Sequence, residues 1–104
     1  MNLVFRALAD PTRRHVLELL RKGPMSAGEL SDHFPVSKPT MSAHFAALRE
    51  ANLVDVQKVG KTVLYRLKLS VLEEALLGFV GTFQERAAAK AARNTKNEKE
   101  LSHG

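Results

Sequence analysis

Cysteine is absent from all 104 residues, which excludes disulfides, thiolate metal ligation and thiol-based redox sensing. Long apolar runs are missing too, and no segment approaches the ~20 residues that cross a bilayer. No basic, apolar and small-residue cleavage pattern opens the chain, so the expected compartment is the cytoplasm, without membrane insertion. Catalytic signatures are equally scarce. There is no nucleophile with its base, no paired carboxylates and no glycine loop of the kind that cradles phosphate. The acidic residues are scattered or lie near Lys and Arg, and His15, His33, His44 and His103 share no ligand spacing. Neither an enzyme nor a holder of a metal or organic cofactor is expected.

Basic charge is what the chain does have. Lys and Arg number 16 against 11 Asp and Glu, a formal net charge of +5. On a chain long enough for one core but not two, that surplus favours an anionic partner, most often nucleic acid.

Hydrophobic spacing then divides the chain. Residues 2–9 place Leu3, Val4, Ala7 and Leu8 on one face of a short helix, and Pro11 disfavours helical geometry at Asp10. A second helix is expected from Thr12 to Lys22, with Val16, Leu17, Leu19 and Leu20 inward, ended by Gly23-Pro24. Ser26 and Glu29 have the spacing of a capping box, opening a third helix with Leu30 and Phe34 on one side. After Pro35-Val36, Ser37 is a good N-cap for a fourth helix with Pro39 in its first turn and Met41, Phe45 and Leu48 as a buried stripe. Asn52 suits a left-handed C-cap, and Leu53 closes back on the core.

The period changes next. Residues 54–58 and 63–67 alternate around Val59-Gly60-Lys61-Thr62, as in a β-hairpin. Ser70 is expected to cap a last helix bearing Val71, Leu72, Ala75, Leu76, Phe79, Val80 and Phe83. The sequence is polar after Asn94, and a disordered tail is expected. The domain is thus expected over residues 1–92 and the tail over 93–104. The order α-α-α-α-β-β-α is that of a mainly α, winged helix-turn-helix fold, with the third and fourth helices as the helix-turn-helix and the hairpin as its wing.

A helix of this kind fits the major groove, its N-terminal half reaching base edges. With Met41, Phe45 and Leu48 inward, Ser37, Lys38, Pro39, Thr40, Ser42 and Ala43 are left to face DNA. Lys38 can donate to guanine or phosphate, Thr40 and Ser42 can donate or accept, and Ala43 can touch a thymine methyl. His44 flanks the stripe, as a base or phosphate contact or as a half-buried structural histidine. In the wing, Lys58, Lys61, Arg66 and Lys68 face Asp55 alone, and Lys58 and Lys61 flank the tip. Arg13 and Arg14 suit either phosphate contacts or pairing with Asp10 or Glu18.

The last helix has a wider apolar face than one small domain covers. With the first helix it reads as a homodimer interface formed by Leu3, Val4, Leu8, Leu72, Leu76, Phe79, Val80 and Phe83. A winged-helix module that binds another protein through the fourth helix or the wing is the alternative.

Three stretches in this order carry a resemblance. They are Asp10-Pro11-Thr12-Arg13-Arg14, the run Val36-Ser37-Lys38-Pro39-Thr40-Met41-Ser42-Ala43-His44-Phe45, and Leu48-Arg49-Glu50-Ala51-Asn52-Leu53-Val54. With Gly60-Lys61 and Tyr65-Arg66-Leu67 they resemble the ArsR-type winged-helix repressors over about Leu3 to Phe83, and within them the SdpR-like autorepressor branch. The resemblance implies a homodimer on an imperfect palindromic operator of double-stranded DNA near its own promoter, released by an inducer or protein antagonist of unknown kind. The cysteine pair of the metal-sensing members falls at Ser26 and Gly28 here. The acidic-and-histidine site of their last helix has no counterpart, since residues 70–94 contain neither His nor Asp.

Overall fold

Two prolines, three polar caps and one left-handed asparagine set the helix boundaries in the computed structural model, which describes the backbone of residues 2–102 and the side chains of residues 3–86. Helix α1 (Asn2–Leu8) ends just before Asp10, whose extended backbone (φ −93°, ψ 128°) makes it the N-cap of α2 (Pro11–Leu20). Asp10 Oδ2 accepts the Arg13 N–H at 3.0 Å, and Pro11 takes the first helical position, where it forfeits no bond. The helix thus starts one residue before, and ends two before, the expected span.

Strand β1 (Met25–Ser26) was not legible from sequence spacing, because two residues carry no period. Ser26 then caps α3 (Ala27–Ser31) with both halves of the expected capping box: Ser26 Oγ accepts the Glu29 N–H and Glu29 Oε1 accepts the Ser26 N–H, each at 3.1 Å. The helix stops at Ser31. Phe34 lies beyond it rather than within it, its ring edge-on to His15 at 5.0 Å.

Helix α4 (Lys38–Glu50) begins at Ser37 as expected. Its other end is a complete Schellman motif: Asn52 is left-handed (φ 60°), its N–H bonds to Arg49 O at 2.9 Å, and Leu53 N–H bonds to Leu48 O at 3.0 Å. Leu48 and Leu53, the pair that such a motif brings together, are both fully buried.

Strands β2 (Val54–Val59) and β3 (Thr62–Leu67) form the expected hairpin, with Val59 opposite Thr62 across the two-residue loop Gly60-Lys61. Gly60 has φ 63° while Lys61 is not left-handed, the type II′ pattern that matches the twist of the strands. β1 pairs with the far edge of β3, so β3 is the middle strand of an antiparallel sheet ordered β1-β3-β2. Helix α5 (Leu69–Ser102) follows, starting before Ser70: the Lys68 carbonyl accepts the N–H groups of Val71 and Leu72.

The chain divides into two compact units, Met1–Glu73 and Glu74–Gly104, and the winged helix-turn-helix lies wholly within the first. Its core takes Val4 and Ala7 from α1, Val16, Leu17 and Leu20 from α2, Leu30 from α3 and Met41, Phe45 and Leu48 from α4, closed by Ala51, Leu53 and Val54. Each fully buried Leu or Met contributes roughly 1.5–3 kcal/mol. No polar residue is fully buried among the described residues. In the second unit Leu76, Phe79, Val80 and Phe83 are exposed along α5. The boundary expected at residue 92 and the expected tail over 93–104 lie outside the described side chains.

Candidate nucleic-acid interface

Burial of Met41, Phe45 and Leu48 fixes the rotation of α4, and the rotation decides what faces outward. Ser37, Lys38, Pro39, Thr40, Ser42 and Ala43 are all exposed on its N-terminal half. Two of them are ordered by the cap. Ser37 Oγ accepts the Thr40 N–H at 3.3 Å and donates its own proton to Thr40 Oγ1 at 2.9 Å. The Thr40 hydroxyl therefore has its proton left to donate, which suits an acceptor such as a phosphate oxygen or a purine N7.

The wing is fastened to α4 from behind. The rings of Phe45 and Tyr65 stack with centroids 4.9 Å apart and 27° between planes, so β3 is seated on the recognition helix. At the far end of α4, Lys68 Nζ donates to Asn52 Oδ1 at 2.8 Å and Lys68 N–H to Leu53 O at 2.9 Å. Lys58 and Lys61 are exposed beside and within the hairpin loop. Arg66 is partly engaged within the wing, donating to Gln57 Oε1 across the hairpin. Between α3 and the start of α4 lies an open hollow of about 470 Å³ that has Ser31, Asp32, Lys38, Ser42 and Tyr65 among its lining residues. One cation and one anion on its walls give it no single sign.

His44 departs from its expected place among the DNA contacts. Its side chain is only 15% exposed and turns toward the α1–α2 elbow, with Nδ1 3.8 Å from Asp10 Oδ2. The helical position of His44, one step from the buried stripe, puts it at the edge that faces α2. Asp10 loses solvent there, which opposes its ionisation. The Arg13 N–H and the charges of His44 and Arg13 outweigh that loss and hold the carboxyl below its ordinary value.

Arg13 and Arg14 turn their guanidinium groups to the end of α1, while the charge of Arg13 also acts on Asp10. Arg13 Nε and Nη2 donate to the carbonyls of Ala7 (2.8 Å) and Arg6 (3.0 Å), and Arg14 Nη1 donates to Leu8 O (2.8 Å). They cap the C-terminal end of α1, where the last carbonyls run out of helical partners and carry the negative end of its dipole, Arg6 O alone of the three also accepting a backbone N–H, from Ala9. Spacing across a proline break was the available signal, since it brings the first turn of α2 under the last turn of α1.

The arsR family of bacterial regulatory proteins matches residues 10–56, the span from the N-cap of α2 into β2. A transcriptional repressor, SdpR of Bacillus subtilis, is 41% identical over 76 residues, covering 73% of this chain and 84% of its own. The arsenical resistance operon repressor of Staphylococcus aureus is 29% identical, over 90% of this chain and 92% of its own. A crystal structure of an ArsR family transcriptional regulator superimposes with a TM-score of 0.76 at 30% identity, over 84% of this chain and 89% of that one. The chain belongs to the ArsR family.

This ArsR-family chain is thus a DNA-binding transcriptional regulator, and its relatives are named for regulation rather than for catalysis. Its third helix does not fit the thiolate metal site implied at Ser26 and Gly28. The Ser26 hydroxyl accepts the Glu29 N–H of the capping box, and Gly28 has no side-chain donor atom. No group of three or more metal-ligating side chains occurs among the described residues. No helix among them is long and apolar enough to cross a membrane.

Proposed function

We propose that this ArsR-family regulator is a cytoplasmic repressor that binds a palindromic operator as a homodimer and occludes a promoter, including that of its own operon. The observation that carries this reading is the outward face of α4. Lys38, Thr40, Ser42 and Ala43 stand exposed on a helix held from behind by its buried stripe and by the Phe45–Tyr65 stack. Lys58 and Lys61 add phosphate contacts at the wing. The repressor names of the relatives support the direction of the output.

The dimer rests on exposed apolar surface. Leu76, Phe79, Val80 and Phe83 recur along α5 at helical spacing, each between 41% and 70% exposed, more than a monomer ordinarily leaves on one helix. On α1, Leu3 is exposed and Leu8 half-buried, whereas Val4, expected at the interface, is buried in the core of its own chain. Two-fold symmetry would set the paired recognition helices about 34 Å apart, one turn of DNA. The inducer is not the metal of the cysteine-bearing members.

A mobility shift on DNA from upstream of its own gene, with competitor present, tests the reading. Lys38→Ala should weaken the shift while leaving the dimer folded. Undiminished binding by this variant would remove Lys38 from the interface. Phe83→Asp, at a position too exposed to support the fold of one chain, should give monomers by light scattering; an intact dimer would refute the α5 interface.

A further inference from the structure

His44 presents a problem that DNA reading does not solve. Its Nδ1 is buried and has no hydrogen-bond partner, and Asp10 Oδ2 stands 3.8 Å away, beyond hydrogen-bond reach. A buried polar atom without a partner is uncommon and calls for a reason. Asp10 is well placed to supply one. It lies at the elbow between α1 and α2, its carboxylate is already fixed by the Arg13 N–H, and it is only 31% exposed.

We infer that Asp10 and His44 are a positioning pair that seats the recognition helix against the α1–α2 elbow, and that the pair engages when His44 carries a proton. A neutral ring presents an N–H at Nδ1 in only one of its two tautomers and brings no charge to the contact. A protonated ring turns the same contact into a charge-assisted attraction between α4 and the N-cap of α2. Few other charges face it. Arg13 binds the carbonyls of Arg6 and Ala7, and its charge reaches Asp10 whether or not His44 is protonated. On the elements packed against α4, the charged or titratable residues Arg6 of α1, Arg14, His15 and Glu18 of α2, Asp55 and Lys58 of β2 and Arg66 of β3 are exposed. On α4 itself, the residues one turn either side of His44 are Thr40, Met41, Ala47 and Leu48, none of them charged.

His44 sits one residue from Ala43 and one turn from Thr40, so whatever seats its ring also seats the reading face. Because the pair acts through α4, this inference rests on the DNA-binding reading. Its expected consequence is an operator affinity that rises as pH falls from 8 to 6, on the order of 5-fold, at the low end of linkage effects.

Asp10→Asn separates the pair from everything else. Asparagine caps a helix as well as aspartate, and the variant keeps every histidine, so general charging of the protein is preserved. Operator affinity of the full-length protein would be measured at fixed ionic strength at both pH values for wild type, Asp10→Asn and His44→Gln. A pH response in wild type that both variants lose supports the pair. A response that persists in Asp10→Asn, or that is absent or reversed in wild type, overturns it. Thermal unfolding of the same proteins without DNA keeps the two readings apart. If no variant binds DNA at any pH, the DNA-binding reading fails by itself. The pair is then judged by whether the stability gap between wild type and Asp10→Asn widens from pH 8 to 6, and no widening overturns it.

Discussion

Replacing Asn52 tests how the recognition helix is ended. With φ 60°, Asn52 occupies the left-handed region, where a β-carbon ordinarily costs about 1–2 kcal/mol and asparagine is one of the few side chains tolerated. Asn52→Ala should incur most of that cost. It also loses the Oδ1 acceptor of Lys68, a surface contact worth under ~1 kcal/mol. The variant should therefore lose about 1–2 kcal/mol, and for a domain of this size each kcal/mol lowers the thermal midpoint by about 4–8 °C. Asn52→Gly removes the same acceptor but adopts the left-handed backbone freely, so it should stay within about 1 kcal/mol of wild type. Urea unfolding followed by circular dichroism, at one fixed protein concentration and with unchanged m, reads both values. An alanine variant as stable as the glycine variant would mean that the left-handed residue is not what closes α4.

Two further outcomes follow from charge. If the dimer neutralises on the order of 6–10 phosphates, affinity should fall about 10³–10⁵-fold between 50 and 200 mM salt; replacing both Lys58 and Lys61 by Ala should flatten that dependence by about one unit of slope for each lysine that meets a phosphate. An unaltered slope would place the wing tip off the DNA. The Asp10 carboxyl, held below its ordinary value of 3.8, contributes stability above that value and loses it as pH falls through the folded value. Asp10→Asn should thus be less stable than wild type at pH 7, and the two should converge in acid unfolding once the pH has fallen through the lowered folded value. A gap that stayed constant with pH would show that the carboxylate charge contributes nothing.

Legibility in the sequence followed the range of each interaction. Capping residues act within four positions, so Ser26 with Glu29, Ser37 and Asn52 were readable, and so was the Met41-Phe45-Leu48 stripe. Gly60 marked the hairpin because its turn is local. Long-range partners were not readable. Strand β1 exists only through pairing with β3, some forty residues away. The Phe45–Tyr65 stack joins two elements of different period, and nothing in either names the other. His44 was ambiguous for a related reason: a residue at the margin of a helical stripe points to solvent or to a neighbour according to which element is packed there. The outward residues of α4 were legible by subtraction, once the inward ones were known.

The fastening of the wing to α4 has a consequence for anyone who would change which operator this protein recognises. Tyr65 stacks on Phe45 near the middle of the helix, and Lys68 holds Asn52 and Leu53 at its end. A helix transplanted alone would arrive without the aromatic surface that sets its tilt. The exchangeable cassette is the continuous segment from Ser37 to Lys68, helix and hairpin together. Chimaeras cut at those two points should inherit a donor's preference, while those cut after Glu50 should inherit its side chains and not their aim.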